Sequence, residues 1–171
     1  MANRSVLLTA YSRDVKCYVS NIILGSAANL ELVFRMQKRV LRVLLGLKPG
    51  QSCKGKFREN KLMTVPATYV YRAVLFARKL RPWFEDMKFD HDFSTLRADL
   101  MIVPRHRMKF FERCASFSII KILNHIGDGV LSCPTVKIKS VLKKYFINAE
   151  FYSVKDFFQS SVPALADQMG E

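Results

Sequence analysis

Acidic residues are scarce in this sequence. Only 14 Asp plus Glu stand against 28 Lys plus Arg, a formal net charge of +14, and the pI is near 9.9. So large an imbalance costs self-repulsion and implies an anionic partner. Nucleic acid, an acidic membrane surface and an acidic protein all qualify. No apolar run reaches the roughly 18 residues that a spanning helix needs, so no transmembrane segment is expected. The start, "MANRSVLLTAYSRD", turns charged too soon for a secretory signal. The four cysteines are Cys17, Cys53, Cys114 and Cys133. No two have the CxxC spacing of zinc and redox motifs. Four scattered thiols without a secretory signal read as reduced and intracellular, with two disulfides as the alternative. The expected location is the nucleus, the cytoplasm or both.

Catalytic patterns are missing too. There is no P-loop, GxSxG, HExxH or dinucleotide fingerprint. The one acidic constellation is "DHD", Asp90 to Asp92. It suits a divalent ion by residue type, but no second acidic cluster supplies further ligands. No cofactor and no metal site are therefore expected. Internal repeats, low-complexity tracts and strand alternation are also absent. The fold class that remains is mainly α, an irregular bundle of about five to seven helices without a substantial sheet.

Half of the chain is hydrophobic, with 13 Phe and 6 Tyr, so a sizeable core is available. A first helix is expected within residues 6–24, and a second over 29–45 with Asn29 as N-cap and Gly46 as stop. On the second, Arg35, Lys38, Arg39 and Arg42 fall within an arc of roughly 100°. Leu30, Val33, Phe34, Val40, Leu41 and Leu44 fall opposite, a clear amphipathic pattern. Gln37 lands among the apolar residues, where an unpaired amide is costly, so a hydrogen-bond partner is expected. Ser52 is the candidate cap of a short helix carrying Phe57. A helix over 66–80, apolar nearly all round, should be central. Only Arg72 and Lys79 interrupt it. Periodicity fails between Pro82 and Pro104 and returns over 108–125, 135–147 and from Ser153. The Ser153–Asp156 pair is a weak capping signature, since the usual box carries Glu or Gln. The expected division is 1–83, a linker or crossing loop over 84–104, a second helical segment over 105–162 and a frayed tail over 163–171.

Basic residues recur beside aromatic ones. Lys54, Lys56 and Arg58 flank Phe57; Arg78, Lys79 and Arg81 precede Trp83; Lys109 adjoins Phe110 and Phe111. Lys137, Lys139, Lys143 and Lys144 lead to Tyr145 and Phe146. Phosphate neutralisation with base stacking needs these residue types. Aromatics beside charges also arise whenever a helix buries one face. His106 lies between Arg105 and Arg107, with Lys109 close by, an anion-contacting cluster rather than a general base with an orienting carboxylate. His125 reads as a C-terminal helix cap. Membrane binding typically concentrates charge on one amphipathic segment, so the spread of clusters favours nucleic acid.

Three stretches also resemble a known family. Residues 30–79, "LELVFRMQKRVLRVLLGLKPGQSCKGKFRENKLMTVPATYVYRAVLFARK", look like the region after the polymerase palm of non-LTR retrotransposon reverse transcriptases, the jockey-like elements above all. The family's run there is "LQKRALR-I-GL-P-SC--LF---ILTLPSLY". "DFSTLRADLMIVPRHRMKFFERCASFSIIKILNHIGDGV" and "LKKYFINAEFYSVKDFF" resemble the family's segments downstream of that run. The order of these words is the specific signal. The resemblance implies the thumb and downstream part of an RNA-directed DNA polymerase, a helical region that grips RNA or an RNA–DNA template–primer duplex. It also implies a missing upstream palm domain as partner in the parent protein. The family's catalytic signature, an aromatic, any residue, then Asp-Asp, does not occur in the sequence, so no catalytic residue is carried over and no activity is expected from this chain alone. Gln37, Lys38 and Arg39 match the "QKR" word, with Arg42 after it, and Pro104 to Arg107 match "PRHR". The candidate nucleic-acid contacts are Arg35, Lys38, Arg39, Arg42, Lys54, Lys56, Arg58, Arg105, His106, Arg107 and Lys109. The departures, "IILG" for "IILWG" and "TLR" for "TR", suit a decayed copy. They also leave open a co-opted helical binding protein. A basic membrane-surface protein is the third reading.

Overall fold

Residues 30–48, 50–80, 101–103, 105, 107, 114–127 and 134–160 are described by a computed structural model. Six helices lie among them: α1 (Leu30–Leu45), α2 (Lys56–Glu59), α3 (Val65–Lys79), α4 (Ala115–Ile126), α5 (Thr135–Ala149) and α6 (Val154–Gln159). No strand occurs among the described residues, and the mainly α class holds. The expected helix within 6–24, the Asn29 cap, the Asp90–Asp92 cluster and the tail lie outside the described residues. So do Trp83, His106, Lys109, Phe110, Phe111 and most of the 84–104 segment.

The amphipathic pattern of α1 buries Leu30, Phe34, Gln37 and Leu41. That row rises by three or four residues and so keeps to one face. Val33 and Leu44 are half-buried at its edge. Val40 corrects the sequence reading, for it is 38% exposed. It lies about 100° from Leu41, just outside the arc that reaches the core. The helix stops at Gly46, whose φ of +65° suits glycine. The Gly46 amide donates to the Val43 carbonyl at 3.2 Å, and the Leu47 amide to the Arg42 carbonyl at 2.9 Å. These two bonds make a Schellman closure.

The centre of the molecule is α3. It starts from Thr64, whose hydroxyl accepts from the Ala67 amide at 3.3 Å, with Pro66 in the first turn. Val65, Val70, Ala73, Val74 and Ala77 are fully buried. Helices α1, α4, α5 and α6 all pack against it. Its near-complete apolar circumference is thus used on several sides, as a central helix requires. Arg72 is half-buried and Lys79 exposed. Leu75 and Phe76 are only half-buried, while Val74 is at the centre.

Around α3 the core contains two clusters of rings among aliphatic side chains. Phe146, Phe151 and Phe157 meet with ring centroids 5.7–6.1 Å apart. Phe34, Phe57 and Tyr152 form a second triad at 5.5–6.3 Å. Tilted and edge-on geometries of this kind add to the burial of the rings. Helix α4 begins at Ala115, later than the 108–125 pattern suggests, because Cys114 is extended and serves as N-cap. Helix α6 is closed by a true capping box. The Ser153 hydroxyl accepts from the Asp156 amide at 3.1 Å, and Asp156 accepts from the Ser153 amide at 2.9 Å. Aspartate therefore does here what Glu or Gln does in the usual box.

Candidate nucleic-acid interface

The cationic row of α1 begins with Arg35, which is exposed and ion-paired to Glu31 at 2.6 Å. The hydrogen bond from Arg35 holds the Glu31 carboxyl below its ordinary range. The Lys38 ammonium stands 4.6 Å above the Phe34 ring. Its stem covers apolar surface, so the residue is half-buried while the charge stays at the edge. Arg39 is exposed. The Arg42 Nε donates to the Gln51 carbonyl at 3.1 Å, which fixes the side chain and leaves its two terminal nitrogens. The expectation of four freely exposed cations is corrected to this extent: Lys38 and Arg42 are half-buried. All four remain within an arc of roughly 100°, adjoining the buried row where Lys38 covers Phe34.

Looking down α1, a third sector lies between the cations and the core on the side away from Lys38. Leu32 (57% exposed), Met36 (54%), Val40 (38%) and Val43 (80%) form an apolar stripe open to solvent. They repeat at intervals of four, four and three residues and so share a face. One helix thus presents a buried face, a basic face and an uncovered apolar face. Exposed stripes of this kind mark contact surfaces more often than isolated apolar residues do. Replacing Met36 and Val43 with glutamate should change stability by no more than about 0.5 kcal/mol each. Solubility should rise, measured by light scattering over a concentration series.

The basic clusters with adjacent aromatics turn out differently. Phe57 and Phe146 are fully buried. Lys54 and Arg58, and Lys137, Lys139, Lys143 and Lys144, are exposed. Neighbours on a helix point about 100° apart, so a cation in solvent and its adjacent ring in the core are the ordinary result. Neither ring is a stacking platform. Lys56 is ion-paired to Glu59 at 2.8 Å. Arg105 and Arg107 are exposed. His125 caps a helix end, but not its own: its Nε2 donates to the Ser160 carbonyl at 3.1 Å, at the end of α6.

Aromatic and basic side chains do converge elsewhere, in a groove of about 670 Å³ between α1, α4 and α6. Phe34, Tyr69, Phe117, Tyr152 and Phe158 line it, with Arg35, Lys38, Lys121 and Lys155. The Lys121 ammonium stands 4.4 Å above the Phe117 ring. Lys121 and Lys155 are absent from the sequence-derived set. The signal for Lys121 was present: it is the one lysine in the apolar run "SFSIIKILNHI" of α4. Burial, with the Glu150 carboxylate beside it, pushes the Tyr152 hydroxyl above the usual phenol range. The hydroxyl donates to Glu150 Oε1 at 3.1 Å.

No group of three or more His, Cys, Asp or Glu side chains able to hold a metal occurs among the described residues. No described helix is long and apolar enough to cross a membrane. The chain matches no protein-family model, no curated protein and no solved structure.

Proposed function

We propose that this chain is a non-catalytic, nucleic-acid-holding part of a retrotransposon RNA-directed DNA polymerase, comprising the thumb and the region after it. The observation that carries the reading is α1. The stretch most like the family's "QKR" word bears a basic face at right angles to an uncovered apolar one. A thumb needs both. The basic face serves a phosphate backbone, and the apolar stripe of Leu32, Met36, Val40 and Val43 serves the upstream palm. On this reading the chain supplies grip and the palm supplies chemistry. The chain then acts inside the cell, in the nucleus or cytoplasm, on RNA or an RNA–DNA duplex.

The physics of the grip is backbone contact. The cations of α1 rise about 5 Å per three or four residues, close to the spacing of successive phosphates. Arginine offers forked donors that suit phosphate oxygens. Contacts to phosphate position a strand without reading sequence, as a thumb that holds any template requires.

The test is salt dependence. Binding of an RNA–DNA duplex, followed by anisotropy, should fall by about 0.7 to 0.9 log units per log unit of salt for each phosphate neutralised. Arg39→Gln with Arg42→Gln should flatten the slope by about two contacts, or roughly 1.4 to 1.8 in slope. Helicity should stay unchanged. A slope equal to the parent's would mean that this face touches no phosphate and is simply a solvated surface.

A further inference from the structure

The groove between α1, α4 and α6 has a floor and a rim of different character. Its floor combines the rings of Phe34, Tyr69, Phe117, Tyr152 and Phe158 with the aliphatic side chains of Leu30, Pro66, Ile122 and Val154. Of the rings, Phe34, Tyr69 and Phe117 are buried, and Tyr152 and Phe158 reach the surface. Phe158, on α6, is 38% exposed and offers its ring at the edge. The rim carries Lys38, Lys121 and Lys155, together with Arg35 and one carboxylate, Glu31. None of those three lysines has an ion-pair partner among the described residues, whereas Arg35 is paired with Glu31. Two of the ammoniums are held over ring faces, at 4.6 and 4.4 Å. Cation–π contact thus positions charge at the mouth of the groove without neutralising it.

We propose that this groove receives an unpaired nucleotide of the bound strand, with its base against the accessible rings of Phe158 and Tyr152 and its phosphate on the lysine rim. The inference rests on the nucleic-acid reading above and adds a second contact to it. Four cations against one carboxylate, above an apolar cavity with rings at its edge, complement an anion with a flat apolar body. The groove volume lies within the range of about 300 to 1,000 Å³ that takes one small ligand, so it holds a single residue of a strand and not a duplex. Continuity supports the same occupant. Arg35 and Lys38 belong both to the α1 basic row and to the groove, so a strand tracking the row arrives at the groove.

The wall has few polar groups left to read a base. Ser153 Oγ donates to Asp156 at 2.7 Å, and the Tyr152 hydroxyl donates to Glu150 at 3.1 Å. Recognition therefore runs through ring faces and charge, which every base satisfies. The groove should accept any base and reject an abasic residue.

Anisotropy on the full chain tests this with three probes: a blunt RNA–DNA duplex, the same duplex with an unpaired overhang, and that overhang made abasic. The base-bearing overhang should bind tightest. Phe158→Ala should weaken it by about fivefold or more, as loss of one stacked base contact does. Blunt-duplex binding should stay unchanged. Lys121→Gln with Lys155→Gln, both exposed positions, should flatten the salt slope by about 0.7, the share of the one phosphate held there, on the overhang alone. This pair also keeps the proposal open to refutation if the Phe158 variant fails to fold. Equal binding of the base-bearing and abasic overhangs would overturn the groove assignment. So would variants that weaken blunt and overhang probes alike. With duplex binding intact, either result removes the groove and leaves the α1 row standing. No salt-dependent binding of any probe removes both. Binding to phosphatidylserine-containing vesicles that needs Lys121 and Lys155, with no base effect on the oligonucleotides, would reassign the groove to an acyl anion and overturn the proposal.

Discussion

Replacing Gln37 with leucine is expected to destabilise the protein by about 2 to 5 kcal/mol. Gln37 is 3% exposed and sits on the core face of α1. Its Nε2 donates to the Met63 carbonyl at 2.9 Å, and its Oε1 accepts from the Val65 amide at 2.8 Å. Those backbone groups lie just before and at the start of α3, where the first amides of a helix have no partner within it. One side-chain amide thus closes a helix start and fixes α1 against the central helix. Leucine has nearly the same shape and fills the same space. What it leaves behind is a buried N–H and a buried C=O, each costing about 1 to 3 kcal/mol when unsatisfied. The expected reading is a lower urea midpoint with an unchanged slope, the signature of lost stability rather than altered compactness. Glutamate is a sharper control. It keeps an acceptor for Val65 but loses the donor to Met63 and buries a charge. It should be no better than leucine. A leucine variant as stable as the parent would show that the two backbone groups find other partners, and the bridge would then be incidental.

Gln37 also shows why part of the fold was legible in the sequence. A polar residue in the middle of an apolar arc must be paired, so the existence of a partner followed from position alone. The partner's identity did not, because residues 63 and 65 reach it through tertiary packing. Helix boundaries set by local chemistry read well: Gly46 ends α1, Pro66 opens α3 and Ser153 caps α6. Boundaries and caps set at a distance did not. Ser52 looked like the cap of α2, yet its hydroxyl accepts only from the Lys54 amide at 3.2 Å. The true donor set of that helix is met from far along the chain. Periodicity separates a helix into two halves, core and solvent. It cannot tell a solvated apolar residue from a buried one at the margin, as Val40 shows.

The candidate site divides along the same line. The basic face of α1 was legible because it is a property of one helix. The groove was not, because its lysines come from α1, α4 and α6, which only the fold brings together. Conversely, Phe57 and Phe146, which lie close to lysines in the sequence, suggested stacking surfaces that the fold buries. Adjacency in sequence opposes adjacency in space on a helix, since neighbours diverge by about 100°. Within one helix a cation meets a ring four residues away, as Lys38 meets Phe34 and Lys121 meets Phe117, but the groove they share forms only where the helices cross.

The distant cap of α2 is Glu150, and its loss should rank with that of Gln37. Glu150 lies just past α5 with φ +48° and ψ +53°, a left-handed conformation. Its carboxylate accepts from the Gly55 amide at 2.9 and 3.0 Å and from the Phe57 amide at 3.3 Å. It also accepts from the Tyr152 hydroxyl at 3.1 Å. Helix α2 has no side-chain cap of its own, because its N-cap is Gly55 at φ +81°. A carboxylate at a helix start satisfies free amides and faces the favourable end of the dipole. Glu150→Ala should therefore cost about 2 to 4 kcal/mol, given hydrogen bonds to a charged group at about 1.5 to 3 kcal/mol each, partly replaced by water. Two competing effects can be separated here. The left-handed backbone costs a non-glycine residue about 1 kcal/mol or more. Glu150→Gly removes both the carboxylate and that cost, so it should be milder than alanine by about 1 kcal/mol. Glu150→Gln keeps one acceptor oxygen and should fall between alanine and the parent. The order parent, then glutamine and glycine, then alanine, in thermal midpoint is the expected result. A glycine variant more stable than the parent would mean that backbone strain outweighs the cap, and that residues 55–57 hold their place without it.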